Sequence, residues 1–214
     1  MTRRVIALSA CALATAATVL AQGARPASPA GRAAAQVGGK YEKQAGIVDP
    51  VYTGGKWIEI TYGRPIKRGR DLWGSGATYG KMLSLGAPVW RAGADVSTRL
   101  QNEVPLVVSG KTIPPGEYSL FIELKDPKSW TFIVSSWPAQ TRHDLSNKAA
   151  LWGAFGYTPD KDVVRAAMTV STLPFAVEQL TWDFVDMTNA GGKIAIMWDK
   201  TMATVPFTIG PGTM

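Results

Sequence analysis

The chain has 214 residues, of which 46% are hydrophobic and 18% charged, a balance typical of a globular domain and unlike that of disordered chains. Its formal charge is +7, but from residue 40 onward it carries 19 basic and 16 acidic side chains, scattered along the sequence. Because a face that binds nucleic acid needs clustered Lys and Arg, nucleic acid is not an expected partner.

The N-terminus is typical of a secretory signal peptide, predicted over residues 1–21. Arg3 and Arg4 form a positive region, and an uncharged run rich in Ala, Leu and Val follows. This run is short for a spanning helix, so we expect a periplasmic or secreted protein with no stable membrane span after cleavage. A twin-arginine leader is an alternative to the general secretory route. Lipid anchoring through Cys11 is disfavoured because most of the apolar run follows it, and cleavage would leave a mature chain without cysteine.

Residues 22–40 are rich in Ala, Gly, Pro and Ser and are predicted to form a flexible tether before a β domain over residues 41–210. Within that domain, apolar residues alternate with a period of two, as Ile58, Ile60 and Tyr62 do. Strands are predicted over residues 57–62, 104–108, 111–113, 118–124, 130–136, 163–171, 180–187, 193–198 and 205–209. One short helix is predicted over residues 148–155. The fold class is therefore all-β: a single antiparallel β-sandwich, or alternatively a flattened barrel, with long loops over residues 64–89 and 137–162.

Residue types that carry catalysis are sparse. His143 is the single histidine, whereas a catalytic zinc site takes two or three. Gly110-Lys111-Thr112 imitates the end of a phosphate-binding loop but lies between two predicted strands. We therefore predict no catalytic residue, no metal and no cofactor. The expected function is that of a non-catalytic binding or structural module of the periplasm or cell exterior. The alternative is a carboxylate-based hydrolase of glycans or esters. Such an enzyme would need two of four carboxylates in one cleft: Asp95, Glu103, Asp160 and Asp183.

Two groups of residues are candidates for binding a ligand. The first combines arginines suited to anions with an aromatic and a polar partner: Arg70, Trp90, Arg91, Asp95 and Thr98. Its structural alternative is an arginine that pairs with Asp95 or Glu103 and pins the loop. The second is the aromatic strip Trp152, Phe155 and Tyr157, which could stack on sugars or peptides or could cap the sandwich. The sequence does not distinguish between a small molecule, a glycan and a protein as the partner. A protein partner could pair with an exposed edge strand.

Several short motifs occur in order along the chain: Arg64-Pro65, Gly69-Arg70, Tyr79-Gly80-Lys81, Trp90-Arg91-x-Gly93-Ala94, Pro115-Gly116-x-Tyr118, Trp152-Gly153 and Asp162-Val163-x-Arg165. Over residues 50–209 this set resembles the bacterial domain-of-unknown-function family 2911. The resemblance implies an exported protein and brings no established activity with it. Three features depart from the family pattern. Trp73-Gly74 replaces a phenylalanine-glycine pair, extra residues occur near 82–87, and Asp95 stands where many members have asparagine.

Overall fold

The computed structural model describes residues 26–211, and strands dominate this part of the chain. In chain order the strands are β1 (Ala30–Val37), β2 (Lys40–Glu42), β3 (Val51–Thr53), β4 (Lys56–Gly63), β5 (Thr98–Asn102), β6 (Leu106–Val108), β7 (Lys111–Ile113), β8 (Gly116–Asp126), β9 (Ser129–Ser135), β10 (Asp162–Ala167), β11 (Thr169–Thr188) and β12 (Gly191–Ile209). A short helix, α1 (Lys81–Ser84), and two 3₁₀ turns, Gly76–Thr78 and Pro159–Lys161, complete the regular structure. Among these residues, no helix has both the length and the apolar character needed to cross a membrane.

Two antiparallel sheets share one apolar core and confirm the predicted sandwich. The first sheet has the order β1-β4-β5-β8-β9-β10, and the second has the order β11-β12-β6-β7; β2 and β3 form a separate ribbon. Phe132 of the first sheet meets Trp182 of the second, with ring centroids 6.4 Å apart. Within residues 26–211 neither sheet closes on itself, so the sandwich, and not the flattened barrel, is the architecture.

Three predicted hairpins are present. β8 returns as β9 across the predicted turn, with Leu124 opposite Trp130. β6 and β7 are joined through Ser109 and Gly110, which both adopt positive φ, at 51° and 75°. A two-residue turn with two positive φ angles matches the twist of the strands that it joins. β11 and β12 also reverse where predicted, with Thr188 opposite Gly191.

The first strand lies inside the segment that was predicted to be a flexible tether. β1 pairs with β4 in antiparallel register, so the folded domain extends N-terminally of the predicted boundary at residue 41. The inward positions of β1 are Gly31, Ala33, Ala35 and Val37, side chains too small to produce a clear alternation of apolar and polar residues. Small residues are required there, because a Cβ at Gly31 would come within 2.6 Å of the Tyr62 ring. The predicted signal peptide and the start of the tether lie outside the described residues.

Two local predictions differ from the structure. The single strand predicted over residues 163–171 is divided at Met168, where the chain passes from β10 in the first sheet to β11 in the second. Both halves alternate in the same way, so the sequence pattern alone does not reveal a change of partner. The prediction of a helix over residues 148–155 is wrong, since that segment forms turns. The helix α1 instead lies at the start of the segment that departs from the family pattern.

A long loop of residues 136–161, here called the covering loop, lies on the outer face of the first sheet. Phe121 of β8 and Ile133 of β9 point away from the main core and stand opposite each other, yet both are fully buried. They are covered by Leu151, Ala154 and Tyr157 of the loop, which form a second, smaller apolar core with them. This packing anchors the C-terminal half of the covering loop and leaves its tip in solvent.

Candidate functional site

The side chain of Gln140 organises the tip of the covering loop. Its Nε2 lies 3.1, 3.0 and 2.9 Å from the carbonyl oxygens of Asp144, Asn147 and Ala150. Its Oε1 accepts a hydrogen bond from the Asp144 amide at 2.9 Å. Gln140 is buried, whereas residues 141–149 are exposed. One buried amide therefore ties together three positions of a segment that has no apolar core of its own.

The organised loop encloses a cavity of about 490 Å³. This volume lies within the range of about 300–1,000 Å³ that is usual for small-molecule sites. A second cavity of about 420 Å³ continues around the loop tip and shares Gln140, His143, Asp144 and Asn147 with the first. The main cavity is lined in part by His143, Leu145, Lys148, Leu151, Trp152 and Phe155. Apolar surface with a few polar groups is the composition expected of a ligand site.

The predicted aromatic strip is divided between this cavity and the core. Trp152 and Phe155 line the cavity, and the ring of His143 lies 5.3 Å from that of Trp152. The Phe155 side chain is 50% exposed, a large fraction for a phenylalanine. Tyr157 is buried instead, with its ring 4.9 Å from that of Phe121. The structure thus brings two of the three predicted rings to the cavity and uses the third for packing.

Arg91 lies against Phe155, with its guanidinium carbon 5.4 Å from the ring centroid. The residue is 8% exposed, and its Nη1 donates a hydrogen bond to the backbone oxygen of Asp95 at 2.6 Å. Gly153 packs directly on the guanidinium: its φ is +63°, and a Cβ there would stand 2.5 Å from Nη1. Burial lowers the pKa of Arg91, although the negative charge of Asp95 opposes that effect. A partly desolvated cation thus stands beside the aromatic wall of the cavity.

Four of the five residues in the first predicted group belong to one folded turn. Trp90 exchanges two backbone hydrogen bonds with Ile122 of β8, at 2.8 and 2.9 Å. Thr98 donates to the backbone oxygen of Ala92 at 3.1 Å. Asp95 is exposed, and Arg91 contacts its backbone carbonyl oxygen. The structural alternative given in the sequence analysis expected an arginine to pair with the carboxylate of Asp95 or Glu103. The turn is therefore held mainly through backbone oxygens, and the Asp95 carboxylate is left facing solvent.

Arg70, the fifth member of that group, has different neighbours. It donates to the carbonyl oxygens of Ile66 and Lys67, at 2.6 and 2.9 Å, and its guanidinium lies 5.9 Å from the Trp198 ring. Trp198 in turn stacks on Trp90, with centroids 6.1 Å apart. Within residues 26–211, Arg70 forms no hydrogen bond or ion pair with the other four predicted residues. It lines a separate cavity of about 410 Å³.

Charged side chains fasten the end of the covering loop to the sheet. The Tyr157 hydroxyl donates to Asp162 Oδ2 at 2.6 Å, and Arg165 bridges Asp162 and Glu123 at 2.8 and 2.7 Å. Burial, reinforced by the neighbouring carboxylate, raises the pKa of Tyr157. Asp162-Val163-x-Arg165, one of the motifs noted in the sequence, thus has a structural role here.

Sequence reasoning missed Gln140 and Lys148. One indirect signal was available, because the apolar runs around Phe121 and Ile133 interrupt the alternation expected of a strand with one solvated face. These runs indicate that the outer face is covered. They do not indicate which loop covers it, and nothing in the polar segment around Gln140 distinguishes that residue from its neighbours.

Comparison with known proteins gives one match. A family model described as "Protein of unknown function (DUF2911)" matches residues 47–207, which include both candidate groups and the whole covering loop. No curated protein and no solved structure matches the chain. The matched segment begins after β1 and β2, so the edge strand β1 lies outside it. The family model covers most of the chain, and the protein therefore belongs to the DUF2911 family, whose function is unknown.

Proposed function

We propose that this protein is an exported, non-catalytic binding module that takes a small ring-containing ligand into the cavity of the covering loop. The observation that carries the proposal is the pair of aromatic side chains, Trp152 and Phe155, on the wall of a cavity of about 490 Å³. Phe155 is 50% exposed. A ring stacked on it would remove apolar surface from water, a gain of about 25 cal/mol for each Å².

The residues around the cavity are held in place by contacts within the chain. Gln140 fixes the loop tip through its side-chain amide, and Arg91 supports Phe155 from behind. The second apolar core holds Leu151 and Ala154 on the sheet. A site that is already ordered loses less conformational entropy on binding, so more of the contact energy appears as affinity.

The export part of the proposal rests on the N-terminal sequence. A positive region followed by an apolar run predicts cleavage near residue 21. Protein recovered from an expressing bacterium should then begin between Gln22 and Pro26, as measured by intact mass. Mature protein that retains Met1 would contradict export by this route, and a diacylated Cys11 would establish lipid anchoring instead.

The four carboxylates named for the alternative function, a hydrolase, do not form a pair in one cleft. Glu103 accepts the backbone amide of Trp57 at 2.7 Å, and Asp183 accepts the amide of the next residue at 2.8 Å. Asp160 accepts a hydroxyl from two residues earlier in its own turn. Asp95 lies in the exposed turn after Arg91. Three of the four carboxylates thus have local partners in different elements and Asp95 faces solvent, so binding is the function that the site supports best.

The binding proposal is tested with N-phenylnaphthylamine, a neutral dye that fluoresces when it leaves water. We expect saturable binding to one site, weakened about tenfold or more when Trp152→Ala and Phe155→Ala are combined. The matched control is Phe175→Ala, because Phe175 is 60% exposed on strand β11 and is not part of the cavity lining. Equal dye affinity in the wild type, the double variant and the control would overturn the assignment of the cavity as the binding site.

A further inference from the structure

We propose that the ligand of this cavity carries a negative charge, as a carboxylate, sulfonate or phosphate attached to a flat apolar body. This inference rests on the proposed function, because it assigns a chemical class to the ligand of the same site. It is carried by the charges that surround the cavity, which are predominantly positive. Lys148 lines the main cavity, and Arg142 lines its continuation.

The position of Lys148 is determined by the loop. Its Nζ donates to the carbonyl oxygen of Leu145 at 2.7 Å, which holds the ammonium group against the loop backbone. An ammonium group has three N–H donors, so this bond leaves two for a ligand. Among residues 26–211, neither Lys148 nor Arg142 forms an ion pair. One cation in the lining of each cavity is therefore available to an anionic group.

A third cation lies behind the aromatic wall. Arg91 contacts the Phe155 ring and forms its hydrogen bond with the backbone oxygen of Asp95. Because it is nearly buried, its charge is screened less by solvent than that of a surface arginine. Its field therefore adds to the preference for a negative ligand on the exposed side of Phe155.

Asp144 is the carboxylate in the linings of the two cavities, and one of its two oxygens accepts hydrogen bonds within the loop. Oδ1 accepts the amide and the hydroxyl of Ser146, at 2.8 and 2.6 Å. These hydrogen bonds lower the pKa of Asp144. His143 also belongs to both linings and is exposed. The two linings thus hold one carboxylate and two cations, and a third cation contacts Phe155, which favours an anion over a neutral or cationic occupant.

Two dyes with the same aromatic body separate charge from shape. Anilinonaphthalene sulfonate carries one sulfonate, and N-phenylnaphthylamine is its neutral counterpart. We expect Lys148→Met to weaken the sulfonate dye about fivefold and to leave the neutral dye within about twofold, since the methionine keeps an apolar stem of similar length. Arg142→Gln should act in the same direction, and Lys128→Met, in the exposed turn after β8, is the control that should change neither dye. Raising the salt concentration from about 0.01 M to about 1 M should weaken only the sulfonate dye.

The outcomes distinguish this inference from the proposed function. If the neutral dye binds at Trp152 and Phe155 while both charge variants bind the sulfonate dye as well as the wild type does, the negative charge is refuted and the binding site stands. An equal loss of both dyes in Lys148→Met and Arg142→Gln would assign the two cations to loop structure and would also refute the inference. If neither dye responds to Trp152→Ala and Phe155→Ala, the proposed function itself fails.

Discussion

Replacing Gln140 by alanine should open the tip of the covering loop without unfolding the sandwich. The Gln140 amide faces three carbonyl oxygens but has two hydrogens, so it forms at most two strong donated bonds beside the one accepted by Oε1. Three bonds at about 1 kcal/mol each amount to about 3 kcal/mol. The loop tip is exposed, so water hydrates the freed backbone groups and the loss stays local.

Hydrogen exchange of single backbone amides measures this opening. The Asp144 amide loses its direct partner, and a change of about 3 kcal/mol corresponds to a fall in protection of about two orders of magnitude. The Leu151 amide bonds to the backbone of Pro138 at 2.8 Å, at the base of the loop, and should keep its protection. The neutral dye should bind less tightly, because the cavity exists only while the tip is ordered.

Gln140→Glu gives a matched test of the donated bonds. The carboxylate keeps an oxygen that can accept the Asp144 amide but presents a second oxygen to three carbonyl groups. Near neutral pH, we expect the Asp144 amide to lose at least as much protection against hydrogen exchange as in Gln140→Ala. Below about pH 4 this loss should be partly reversed, because protonated glutamic acid regains one donor. Protection of Asp144 that stays within about threefold of the wild type in both variants would refute the role assigned to this amide.

Three further predictions concern the supports of the site. Arg91→Ala should lower the free energy of unfolding by about 2–4 kcal/mol, because it removes a charged hydrogen bond and a cation–π contact of a buried side chain. Arg70→Ala should cost less than about 1 kcal/mol, because Arg70 is exposed and solvent weakens its contacts, and equal losses in urea unfolding would contradict this. Gly153→Ala would place a Cβ 2.5 Å from Arg91 Nη1. The combined variant Arg91→Ala with Gly153→Ala should therefore lose at least about 1 kcal/mol less unfolding free energy than the sum of the two single losses, and strict additivity would argue against the contact. Tyr157 has a raised pKa, so above about pH 10 its hydroxyl loses the proton in the unfolded chain before it does so in the folded chain, and stability falls as pH rises. Tyr157→Phe should reduce the slope of stability against pH by at most about 1.4 kcal/mol per pH unit. An equal effect of Tyr41→Phe, a control at an exposed position, would contradict this.

The sequence by itself determined the local features of the fold. Alternation identified the inward face of β4 and the strands of three hairpins, because the side chains of a strand point to opposite faces in turn. Turn residues located the reversals, since few residue types accept positive φ without strain. The ordered motifs also identified the family, which the match over residues 47–207 confirms.

Only the tertiary structure decided which segments meet. Alternation does not specify a partner, so the change of sheet at Met168 and the pairing of β1 could not be predicted from the pattern. The same holds for the candidate site. The contact of Arg91 with Phe155 and Gly153 joins residues more than fifty positions apart, and the cavity depends on a loop folded over the outer face of a sheet. Such contacts arise from the packing of the whole chain, which no local periodicity records.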